Sequence, residues 1–129
     1  METSLNQTVS GQGRLRVTAT IHRVGEDVLL TVTGGDRPHA GGVAVSLPRP
    51  SLSGDGKPSA STSVICVPGH KEDLLAREAG ERAARRLGVT VVVVAGIHLD
   101  TASPEEIKSL QANALEAVEE LLECARNQS

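Results

Sequence analysis

The sequence predicts a single α+β domain of order ββββαβα, a mixed, largely antiparallel sheet with two helices packed on it. Three observations carry this. Apolar and polar residues alternate over the first half of the chain, the period-two signature of half-buried strands. Past residue 70 the apolar spacing changes to the helical period. A β-branched run over 89–95, followed by a strong helix start, then closes the chain. At 129 residues there is room for one domain, and no internal repeat is visible.

Residues 1–13 are polar and contain glycine, so they read as a flexible tail ahead of a domain over 14–126. Leu15, Val17, Ala19 and Ile21 share one strand face, opposite Arg16, Thr18, Thr20 and His22. Gly25-Glu26-Asp27 turns the chain into a hairpin partner over 28–33, and Gly34-Gly35-Asp36-Arg37-Pro38 is expected to break the sheet. Val43, Val45 and Leu47 mark a third strand. Residues 48–60, rich in Pro, Gly and Ser, read as a long loop, and 63–67 as the fourth strand.

Residues 70–87 read as a helix with a stripe of small residues, Ala76, Ala79, Gly80, Ala83 and Ala84. Asp73–Arg77, Glu78–Arg82 and Glu81–Arg85 are spaced to pair along it, and Gly88 ends it. Mid-helix Gly80 costs about 1 kcal/mol relative to Ala, which close approach of another backbone would justify. The run over 89–95 has the composition of a central strand. Ser103-Pro104-Glu105-Glu106 places an N-cap, a proline at the first helical position and a capping-box glutamate before a helix to Arg126. Its acidic face (Glu116, Glu119, Glu120, Glu123) is expected to lie in solvent.

Composition removes several function classes. No Phe, Trp or Tyr is present. That excludes aromatic base-stacking platforms, cation cages and membrane-interface belts. Thirteen Lys and Arg against 16 Asp and Glu leave a net charge of −3, against the basic excess of nucleic-acid domains. Cys66 and Cys124 form no CxxC and read as reduced, buried thiols. The first ten residues have neither a basic nor an apolar signal region, and the longest apolar run, 91–95, is far short of a membrane span. The expectation is a soluble, cytoplasmic chain.

Three of the four histidines stand where regular structure ends beside glycine, a setting that lets backbone and side chains approach a ligand. His39 precedes Gly41-Gly42, His70 follows Pro68-Gly69, and His98 follows Ala95-Gly96. With Glu72, Asp100 or Asp36 they offer a nitrogen and oxygen donor mix suited to zinc or iron(II), without the short spacings of an established metal motif. Pro68-Gly69-His70-Lys71 leads from strand to helix, where free N–H groups and Lys71 suit a phosphate. Gly54-Asp55-Gly56-Lys57-Pro58 is no Walker A loop, because Ser51 and Pro58 occupy positions that need Gly and Ser/Thr. Gly11-Gln12-Gly13 precedes a strand, so it is no dinucleotide fingerprint. His98 and Asp100 suit either an acid–base pair or a hydrogen-bonded strand end.

The chain resembles the prenylated-flavin chaperone family, the LpdD-like companion proteins of UbiD-type and gallate decarboxylases. The likeness is carried by Gly35-Asp-Arg-Pro-His-Ala-Gly-Gly-Val-Ala-Val-Ser46, by Pro68-Gly-His-Lys-Glu-Asp73, and by Ala95-Gly-Ile-His-Leu-Asp100 with Ser103-Pro-Glu-Glu-Ile107. The resemblance implies a fold similar to proteasome-assembly chaperones, a homodimer, and no catalysis. It implies a carrier that binds reduced prenylated FMN and helps load it into a UbiD-type decarboxylase. His39, Gly41, Gly42, His70, Lys71, His98 and Asp100 match its motifs and take the cofactor-binding role by that likeness. Two readings stand beside it: a protein-assembly module without a small ligand, and a metal-dependent enzyme using His39, His70 and His98.

Overall fold

The computed structural model describes residues 6–66 and 72–127. Along the chain come β1 (Gln7–Ser10), a 3-10 turn (Gly13–Leu15), β2 (Val17–Val24), β3 (Asp27–Gly35), β4 (Gly42–Pro50) and β5 (Pro58–Cys66). Then follow α1 (Asp73–Leu87), β6 (Val91–His98) and α2 (Pro104–Asn127). The strands make one sheet in the order β1-β2-β3-β6-β4-β5. β6 is parallel to β3, and every other pairing is antiparallel. The α+β architecture is the expected one.

Register puts Ala19, Val32, Ala95 and Gly42 in one row across the sheet, on the face that both helices cover. α1 lies over β4, β5 and β6, α2 over β1 and β2, and the helices touch each other. The core between them is built from Val, Leu and Ala, with Leu30, Leu121 and Leu122 its largest fully buried side chains. The expected small stripe of α1 is its buried face. A Cβ on Gly80 would meet Ser46 Oγ, so the glycine admits side chains of the sheet rather than another backbone. Gly88 caps α1 at φ 69°, with its N–H donating to Ala84 O at 2.9 Å. At α2 the capping box is formed in both directions: Ser103 N–H reaches Glu106 Oε1 and Glu106 N–H reaches Ser103 Oγ, each at 3.1 Å.

Four local expectations are corrected. Part of the expected tail is structured: Gln7–Ser10 pairs with β2, and the Thr8 hydroxyl donates to the Ala117 carbonyl of α2. A polar strand with only alternate residues buried has too few apolar side chains to announce itself. The 48–60 loop is shorter, because β4 continues to Pro50 and β5 begins at Pro58. Pro48 and Pro50 lie beyond the last β4–β6 pair, Ser46↔Val91, so β6 loses no hydrogen bond to them. β3 runs through Gly34 and Gly35 instead of stopping before them.

The fourth correction concerns charge pairs. Of the three expected pairs on α1, among the described residues only Glu78–Arg82 forms, at 2.9 Å, while Arg77 meets Glu81 at 4.0 Å. The acidic face of α2 is partly engaged as well. Glu119 bridges Arg82 and Arg86 at 3.0 and 2.7 Å, and Glu123 meets Arg86 at 2.9 Å. Cys66 and Cys124 are half-buried rather than buried.

Candidate functional site

Between β3 and β4 the chain from Asp36 to Gly41 runs against the C-terminal end of β6. Asp36 and Arg37 donate their N–H groups to His98 O at 2.7 and 3.3 Å, His39 to Gly96 O at 3.5 Å, and Gly41 to Ala95 O at 2.9 Å. Only a glycine at position 96 permits this contact. A Cβ there would fall 1.5 Å from the His39 carbonyl oxygen.

This contact brings together two of the predicted histidines from distant parts of the sequence. The His39 and His98 rings stand edge to face, 6.4 Å between centroids and 76° between planes. With Arg37 and Pro38 they line a cleft of about 350 Å³. Each imidazole faces a carboxylate. His39 Nε2 lies 3.1 Å from Glu72 Oε1, a side chain only 10% exposed at the start of α1, and His98 Nε2 lies 3.0 Å from Asp100 Oδ1. Gly41 and Gly42 are buried beneath this pair. A Cβ on Gly41 would sit 2.7 Å from the Glu72 carboxyl carbon, so these glycines shape the site rather than line it.

Asp100 is the hub of the outer rim. Arg37 Nη2 donates to its Oδ1 at 2.6 Å, and its own N–H donates to Asp36 Oδ2 at 3.0 Å. Arg14 donates to the Asp100 carbonyl and pairs with Asp36 at 3.3 Å and Glu106 at 3.5 Å. The hydrogen bond from Arg37, and then that from His98, hold the Asp100 carboxyl below its ordinary value of 3.8. A depressed carboxylate contributes its contacts above the ordinary value and loses them as pH falls through the lowered one. An NMR pH titration is therefore expected to show the Arg37 and His98 signals moving together with a midpoint below 3.8, and the transition missing in Asp100→Asn. A midpoint at or above the ordinary value would contradict the assignment.

His70 and Lys71 lie outside the described residues, as does the whole Pro68-Gly69-His70-Lys71 segment that carries the phosphate reading. The described helix start carries two carboxylates, Glu72 at the N-cap and Asp73 in the first turn. Among the described residues no group of three or more His, Cys, Asp or Glu is arranged to hold a metal ion. Sequence reasoning assigned no role to Arg14 or Arg37, and weighed Asp36 and Glu72 only as metal ligands. Arg37 and Asp36 stand in the first motif and Glu72 in the second, which was the available signal. Arg14 had none.

Compared with protein-family models, residues 11–126 match the prenylated flavin chaperone LpdD-like domain. That span takes in the cleft, its rim and both helices. No curated protein matches the chain.

Proposed function

Because the chain belongs to the prenylated flavin chaperone LpdD-like family, we propose that it is a non-enzymatic cytoplasmic carrier of reduced prenylated FMN that assists loading of a UbiD-type decarboxylase. The observation that carries this reading is the cleft at the end of β6, with two carboxylate-faced imidazoles, a guanidinium and a proline around about 350 Å³. Small-ligand sites occupy roughly 300–1,000 Å³ and combine a few convergent polar groups with apolar walls. The donor set fits a flavin ring system, whose edge carries hydrogen-bonding nitrogens and oxygens and whose faces are apolar.

In this reading His39 and His98 hold the ring edge, with Glu72 and Asp100 fixing their orientation. Pro38 offers apolar contact, and Arg37 supplies positive charge at the mouth. His70 and Lys71, by their motif position, hold the phosphate. A reduced flavin supplies an electron-rich ring that oxygen readily attacks, so the carrier's task is shelter and release. With no aromatic residue the site forgoes stacking worth ~1–3 kcal/mol, if values for nucleic-acid bases transfer to a flavin. A weaker grip suits a protein that surrenders its cargo.

Anaerobic titration with chemically reduced prenylated FMN tests the reading. A saturable absorbance change at one cofactor per chain is expected, with affinity lowered at least tenfold, or about 1.4 kcal/mol, in His39→Ala/His98→Ala. An unchanged spectrum at equimolar protein would overturn it. Loaded chain should also restore activity to cofactor-free decarboxylase faster than free cofactor does.

A further inference from the structure

The two edges of the sheet are built differently. β1 is four residues long, a length that limits pairing with another chain. β5 runs for nine residues, Pro58–Cys66, with no Asp, Glu, Lys or Arg among them. Its register with β4 is continuous from Pro50↔Pro58 to Gly42↔Cys66, so no bulge bends it away. Exposed edges ordinarily carry charge, a bulge or very few residues, because unpaired N–H and C=O groups recruit further strands. Among the described residues no strand lies beyond β5. Which of its groups face outward follows from the turn. Ser51 N–H donates to Lys57 O at 2.9 Å, which sets the alternation of the antiparallel ladder. Ser59, Ser61, Ser63 and Ile65 therefore point their backbone groups at β4, while Ala60, Thr62 and Val64 point theirs away from the sheet.

At the Pro58 end of this edge lies a second cleft, of about 270 Å³. Pro58, Glu78, Arg82, Arg85, Arg86 and Glu119 line it, three guanidiniums against two carboxylates. Arg82 is held by Glu78 and Glu119, and Arg86 by Glu119 and Glu123. The Arg85 guanidinium has no partner among the described residues, and Arg86 Nε is buried without a hydrogen bond. We infer that β5 and this cleft together receive the extended carboxy-terminal tail of a partner protein. The tail adds a strand to the sheet, its backbone pairing with Ala60, Thr62 and Val64, and its terminal carboxylate pairs with Arg85. Direction and charge agree. An antiparallel strand on β5 runs towards Pro58, so its carboxylate end reaches the cleft. A parallel strand would bring a cationic amino end to the same guanidiniums. Strand addition draws its affinity from main-chain hydrogen bonds, so the small uncharged side chains of β5 suffice. At its other end β5 reaches the cargo site, where Cys66 pairs with Gly42. That a docked decarboxylase would thereby sit beside the cleft of His39 and His98 rests on the proposed function, while the tail site does not.

Titration of the full chain with a synthetic acetylated hexapeptide of alternating valine and threonine, ending in a free carboxylate, tests the tail site. Amide NMR spectra are expected to show saturable shifts centred on Ala60, Thr62 and Val64, with slowed hydrogen exchange at those three amides. The carboxamide form of the peptide should bind at least tenfold more weakly, and Arg85→Ala, a change at an exposed side chain, should bind both forms alike. The same peptide N-methylated at every residue should not bind, a control that leaves the protein unaltered. No saturable shift at these amides, or equal affinity of wild type for the carboxylate and carboxamide forms, would overturn the inference. So would slow exchange of the three amides in the chain alone, because the edge would then be covered already by a second copy or by the chain itself. A chain that binds the peptide but takes up no reduced cofactor would keep the tail site and remove the cargo reading.

Discussion

Gly96→Ala is expected to destabilise the fold by ~2–6 kcal/mol and to lower affinity for the reduced cofactor at least tenfold. The added methyl would sit 1.5 Å from the His39 carbonyl oxygen and 2.3 Å from its carbon. Backbone cannot yield as a flexible side chain does, so residues 36–41 must lift from β6. Lifting breaks the His39 N–H bond to Gly96 O and the Gly41 N–H bond to Ala95 O. At ~0.5–1.5 kcal/mol each, added to ~1–3 kcal/mol of overpacking strain, these give the stated range. The functional loss has the same origin, because the His39 ring is carried away from His98. Urea unfolding reads the first effect as a lower midpoint with unchanged slope. Ring-to-ring NMR contacts between His39 and His98 read the second. Stability within ~0.5 kcal/mol of wild type, with those contacts kept, would refute the steric argument.

Leu30→Ala is expected to cost ~3–5 kcal/mol, the upper part of the range for such truncations. Leu30 is fully buried in β3, next to β6, paired across the sheet with Ile21 and Val93. The size of the loss follows from composition. Relaxation around a cavity depends on neighbours long enough to swing into it. Here the core is Ala, Val and Leu, with no aromatic ring, and valine is stiff at χ1. The space therefore stays empty. Domains of this kind are stable by ~5–15 kcal/mol, so the loss is a large fraction of the total. Leu30→Met, which keeps the volume, should cost less than ~1.5 kcal/mol. Equal midpoints for the two variants in urea would show that the core can repack.

Much of the fold was legible because its signals are local. The alternation in β2, the hairpin at Gly25 and the β-branched run of β6 each declare themselves within about ten residues. The capping box of α2 lies within four. β1 was not legible, since its burial is created by α2 more than a hundred residues later. The β4–β5 hairpin was hidden by prolines that only the edge of a sheet tolerates. In the site, His39 and His98 were found from their glycine contexts, and Asp100 from its place two residues beyond His98. Arg14 was not, because nothing near it in the chain reveals that it faces Asp36, Asp100 and Glu106.

What the sequence alone determined is the α+β class, the order ββββαβα that follows β1, the two helices, the aromatic-free core and the three segments that mark the family. These follow from period, capping and composition, which act over short stretches of chain. Tertiary structure decided that β6 enters between β3 and β4. That insertion sets His98 beside His39. Strand order across a sheet depends on contacts between residues tens of positions apart, for which a single sequence carries no periodic mark. The expected helix–sheet packing therefore came from local chemistry, while the cleft came from how the chain crosses itself.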